Sequence, residues 1–184
     1  VAHPELTESR IQRYGRQILL RELGGKGQRL LLARTVLFTR GGGALSVAAA
    51  YLAAGGSPLQ LAPGVALDGF LHGTTLADFN PDGGPAEGPP WLALGDGLPL
   101  PEAPAQVCVQ GGVAFAGPGA CRACFARAVS RLGTAPALDD VTLGSLAALT
   151  VQRLVLGWSH GVGLATMVEG FPRVEEVLGC EHHR

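Results

Sequence analysis

The sequence predicts an α/β domain with a doubly wound, mostly parallel sheet and antiparallel strands at its C-terminal end. Three observations predict it. The apolar run "TVLF" (Thr35–Phe38), the glycines Gly41–Gly43 and the small-residue run Ala44–Ala54 lead into a second apolar run, "PLQLA" (Pro58–Ala62). That strand–turn–helix–strand order makes a right-handed parallel crossover. Farther on, short strands and helices are mixed without an internal repeat, which also belongs to the α/β class. The 184 residues suffice for one domain with a sizeable core.

The elements follow in order. Leu6–Leu20 is rich in helix formers, with Thr7 as N-cap and Leu6, Arg10, Arg13, Tyr14 and Gln17 near one face. "GGKG" (Gly24–Gly27) is expected to break that helix, and Gln28–Arg34 to form a short second one. Then come the strand Thr35–Phe38, the glycine turn, a helix over Ala44–Ala54 and the strand Pro58–Ala62. Residues Pro63–Pro90 are rich in Gly and Pro and read as a long irregular loop. "WLALGDG" (Trp91–Gly97) reads as a third strand, and Gln106–Gly117 holds two more. Cys121–Leu132 and Leu143–Leu156 read as helices, and "VGLATMVEG" with "PRVEEVL" as a terminal hairpin before "GCEHHR". One domain therefore spans 1–184: N-terminal helices over 1–34, a core over 35–157, and the hairpin with its tail over 158–184.

Charge excludes some functions. Only 16% of residues are charged and the net charge is −1, so no basic field argues for nucleic acid. Gly, Pro or a charge interrupts every apolar run before it could span a membrane. Val1–Arg10 has no apolar core, so no signal peptide is read and a cytoplasmic protein is expected.

Two constellations carry chemistry. A turn over pyrophosphate needs glycines, because backbone N–H groups must approach the phosphates without a Cβ in the way. The G-x-G-x-x-G pattern falls on Arg40, Gly42 and Leu45, so only its middle glycine is present. Leu45 is expected to crowd the helix start or the phosphate. A bound triphosphate also needs several cations, yet no Lys or Arg lies between Gly41 and Ala120. The turn therefore reads first as a βα turn that keeps the fold, with a weak or vestigial nucleotide site as the alternative. The second constellation is Cys121-x-x-Cys124 with Cys180-x-x-His183, a spacing that suits tetrahedral Zn²⁺; His182 is the alternative fourth ligand. Four protein ligands leave no open position, so the metal would be structural. The bland alternative is a pair of structural thiols and an exposed tail. Cys108, in the alternating run "VCV", reads as a buried inert thiol.

"RYGRQILLRELGGKGQ" (Arg13–Gln28) resembles the N-terminal segment of the E1-like activating-enzyme superfamily (ThiF/MoeB/HesA type), and the strand, glycine turn and "YLAAGG" helix continue the match. "GPGACRACF" (Gly117–Phe125) resembles the first zinc half-site of that family, "LGSLAALTVQRLVLG" (Leu143–Gly157) its late helix, and "GCEHH" sits where the second half-site belongs. The second half-site of the family is usually C-x-x-C, so His183 is a departure. The resemblance implies a Rossmann-like, ATP- and Mg²⁺-binding fold that adenylates the C-terminal glycine of a ubiquitin-like or sulfur-carrier protein and acts as a dimer. It implies that Arg13 reaches across to a partner's triphosphate, with a solvated helix charge as the alternative. Gly41, Gly42 and Gly43 would be the remains of the phosphate turn, and Asp96 matches the metal-binding Asp, although its usual Asn neighbour is Gly97. The lysine and further arginines that the family draws from the interval after the turn are absent, as is an acidic ribose anchor, whose place holds Pro63 and Gly64. The resemblance thus implies a short, degenerate member: a pseudoenzyme on its own, with structural Zn²⁺ and little or no hold on ATP/Mg²⁺. Its expected partners are a second copy or an E1-like or modifying enzyme, and a ubiquitin-like carrier or precursor peptide. The alternatives are an active adenylyltransferase, or a peptide-binding scaffold for an azole-forming cyclodehydratase.

Overall fold

The computed structural model describes residues 4–67, 88–133 and 138–177. The expected loop over 63–90 therefore falls largely outside the described residues, as do Cys180, His182 and His183.

The chain begins with α1 (Glu8–Ile18), whose first turn is held by the Thr7 hydroxyl accepting the Arg10 N–H at 3.4 Å. The next helix, α2 (Gly24–Ala33), corrects the sequence reading, because the glycines do not break the helix but open it. The break lies just before, where backbone bonds from Leu20, Leu23 and Gly24 close tight turns. Gly27 must be small: a Cβ there would stand 3.0 Å from the Leu23 side chain and 3.1 Å from that of Leu156.

Strand β1 (Val36–Phe38) leads through the glycine turn into α3 (Gly43–Ala54) and then β2 (Leu59–Leu61). The chain next crosses to the other side of β1 for β3 (Leu92–Gly95) and β4 (Ala105–Val109), all four strands being parallel. From β4 onward the sheet turns antiparallel, through β5 (Val113–Ala116), β6 (Val162–Val168) and β7 (Phe171–Val177). The order is β2-β1-β3-β4-β5-β6-β7. The fold is thus mixed α/β, parallel where the sequence showed βαβ chemistry and antiparallel where it showed hairpins.

Alternation along the strands sorts the core into two layers. Val107, Val109, Val113 and Phe115 face α3 and α5 (Asp140–Leu156). Cys108, Ala114 and Ala116 face α4 (Arg122–Leu132), through Phe125, Ala128 and Leu132. Helix α5 starts earlier than the predicted Leu143 because Asp139 caps it, accepting the Val141 and Thr142 N–H groups at 3.0 Å each. The Thr142 hydroxyl, and then those N–H groups, hold the Asp139 carboxyl below its ordinary value. Helices α3 and α5 lie side by side and run the same way: Gly43 meets Asp140, Ala44 and Val47 meet Gly144, and Gly55 meets Gln152. A Cβ on Gly144 would strike the Ala44 carbonyl and stand 2.6 Å from the Val47 Cβ. Small residues therefore set the separation of these helices.

The candidate nucleotide crevice and cysteine pair

The strand order reverses between β1 and β3, and crevices outside the C-terminal ends of strands at such a reversal are where open α/β sheets bind ligands. The turn after β1 carries Arg40 and Gly41–Gly43, and the turn after β3 carries Asp96. The structure brings these sequence-predicted residues together: Arg40 Nε lies 3.5 Å from Asp96 Oδ1, with side chains 65% and 45% exposed.

The glycines that suggested a phosphate turn face atoms of this chain. A Cβ on Gly41 would collide with the Ala66 carbonyl oxygen, one on Gly43 with the Asp140 carboxylate, and one on Gly95 with the Thr39 hydroxyl. Gly42 differs: its φ of 141° is a conformation that side chains rarely adopt, and a Cβ there would meet open space. Leu45 corrects an expectation. It does not crowd the crevice but is buried in the core with Phe38 and Leu92. Arg40 leaves the turn toward solvent and meets Asp96 there.

Sequence reasoning missed Asp140, Ala66 and Thr39. "LDD" before an apolar helix signals a cap, but which helix end faces the second Asp is a tertiary fact.

Arg13 lies elsewhere. It is exposed on α1, its guanidinium 5.8 Å from the Tyr14 ring centroid. The Tyr14 ring packs on Gly56, just past the C-terminal end of α3, and the crevice lies at the other end. A 12-residue helix is about 18 Å long, so Arg13 stands at the end of α3 far from the crevice of its own chain.

The cysteine pair sits at the other end of the strands, on the helix that packs against β5 and β6. Cys121 is the N-cap of α4 and Cys124 lies in its first turn, both half-buried and neither in a disulfide. Ala116, Val162 and Val177 lie abreast across three strands, and Gly117 donates to the Gly161 carbonyl at 2.7 Å. Two strand spacings put Val177 about 10 Å from Ala116; Cys180 lies outside the described residues. Two half-buried thiols at a helix start suit a metal that prefers thiolate. No cluster of three or more His, Cys, Asp or Glu side chains forms among the described residues.

Cys108 is fully buried. Burial, and then the negative charge of Asp96, pushes its thiol up to about 11, which keeps it neutral and a poor nucleophile. An apolar groove of 330 Å³ opens between α5 and the β6–β7 hairpin, lined by Val141, Ser145, Leu149, Met167 and Pro172. No helix among the described residues is long and apolar enough to cross a membrane.

No protein-family model and no curated protein matches the chain. Among solved structures, the crystal structure of the selenomethionine form of PaaA matches with a TM-score of 0.55 at 12% identity, over 96% of this chain and 86% of that one. At that identity the likeness speaks for the fold alone, and the chain is similar to PaaA in the course of its backbone.

Proposed function

We propose that this chain is a degenerate E1-like protein, a partner-dependent subunit in activating a ubiquitin-like or sulfur-carrier protein or in modifying a precursor peptide. The observation that carries the reading is the crevice. It has the place in the sheet at which a Rossmann-like adenylating enzyme would hold ATP, but its turn glycines accommodate Ala66 and Asp140. Among the described residues its arginine, Arg40, is paired with Asp96, the residue that would otherwise hold Mg²⁺. Arg13, exposed at the far end of α3 from the crevice, supports a role toward a neighbour rather than toward its own chain. Cys121 and Cys124, with Cys180 and His183 or His182, would hold a structural Zn²⁺ that ties the chain end to α4. The test is ATP–pyrophosphate exchange with a carrier ending in Gly-Gly. The isolated chain should give none, and activity should appear only when an E1-like or modifying partner is added. Exchange by the isolated chain would establish the rival, an autonomous adenylyltransferase.

A second reading has its own support. The apolar groove beside α5 suits the side chains of a docked peptide, as a scaffold for a separate modifying enzyme requires. Leu149→Asp should then abolish capture of the precursor peptide while leaving the fold intact.

A further inference from the structure

We infer that Cys121 and Cys124 are a dithiol that closes to a disulfide across the first turn of α4, a redox-sensitive site whose oxidant is a small disulfide. The inference goes beyond the metal reading of the same pair. It concerns the metal-free chain, so it does not depend on that reading.

The start of α4 supplies the geometry. Cys121 is the N-cap, with φ −71° and ψ 122°, and Cys124 is the third residue of the helix. Arg122 and Ala123 between them are helical, and the Phe125 N–H donates to the Cys121 carbonyl at 3.0 Å, so the first turn is closed. Residues three apart across a helical turn have Cα atoms about 5 Å apart, inside the range of about 4.4–6.8 Å that a disulfide spans. The two positions also favour convergent side chains. An N-cap side chain reaches over the first turn toward the third residue, whose side chain reaches back. The backbone is thereby set for the bond before the bond forms.

The surroundings favour this pair. Cys121 and Cys124 are half-buried, so a small oxidant can reach them, whereas Cys108 is fully buried. Phe125, Ala128 and Leu132 fix the helix against the sheet, and a bond within its first turn leaves that packing in place. The exchange runs in two displacements. One cysteine sulfur attacks a low-molecular-weight disulfide, which gives a mixed disulfide and releases one thiol. The other cysteine sulfur then displaces the second half. The pair loses two electrons and two protons in all, and the oxidant leaves as two thiols. A closed pair offers no thiolate to a metal, so oxidation and metal binding exclude each other at this site.

The test equilibrates the whole chain, in chelator, with reduced and oxidised glutathione, and reads the products by intact mass and peptide mapping. The native chain should lose two hydrogens, with the bond mapped to Cys121–Cys124. Its exchange constant should be about tenfold or more larger in buffer than in urea, because only the folded turn presets the two sulfurs. Cys180→Ser should close as the native chain does, and Cys124→Ser should stop at a mixed disulfide with glutathione. Three results overturn the inference: a mixed disulfide that persists on the native pair, a bond to Cys180 in place of the internal one, or equal constants in buffer and urea. The metal reading is decided separately, by the zinc content of protein purified without chelator.

Discussion

Gly41 and Gly43 read in the sequence as phosphate-turn residues, and in the fold each lies against an oxygen of the chain itself. The two readings separate on stability. If Gly41 serves the fold, Gly41→Ala must move the Ala66 backbone, and it should cost about 1–3 kcal/mol in urea unfolding without any ligand present. An unchanged midpoint would mean that the turn relaxes freely. Cys108 gives a second expectation. Its thiol stays protonated in the fold up to about 11, against 9.0 unperturbed. Between those values the unfolded chain loses a proton that the folded chain keeps. Stability attributable to this group should therefore be level below pH 9 and fall by about 1.4 kcal/mol per pH unit as the pH rises toward 11. Cys108→Ala should remove that part of the slope, and native Cys108 should resist alkylation at neutral pH.

At the scale of elements, most boundaries could be read from the chain because each has a local cause: the Thr7 hydroxyl before α1, the compact apolar runs of β1 and β3, and alternation through "QVCV". Besides the start of α5, Gly24–Gly27 is an exception, and it failed for a tertiary reason. Helix propensity disfavours glycine, but Leu23 and Leu156 leave no room for anything larger at Gly27. The cysteine pair belongs to this scale too, since a metal there would join the start of α4 to the chain beyond β7. Purified without chelator, the protein should carry one Zn²⁺ per chain. Cys121→Ser or Cys180→Ser should lose it and lower the melting temperature, because the unfolded chain has no preformed site. Full stability with no metal by elemental analysis would leave the cysteines as ordinary half-buried thiols.

At the scale of the molecule, the sequence located the crevice but not which residues lie against its glycines. The glycines, Asp96 and the missing cations could all be read from the chain. The placements of Asp140 against Gly43 and of Ala66 against Gly41 could not, because they join residues far apart in sequence. The position of Arg13 yields an expectation for the assembled system. If it serves a partner's phosphates, Arg13→Ala should slow carrier activation by up to about 10³–10⁵-fold, by analogy with arginine fingers, with assembly unchanged; a normal rate would leave it a docking residue. The central claim, that the crevice of the isolated chain holds ATP weakly or not at all, is tested most directly by calorimetry of the isolated protein with Mg-ATP. The account predicts no saturable binding or only a weak one. A dissociation constant in the low micromolar range would contradict it.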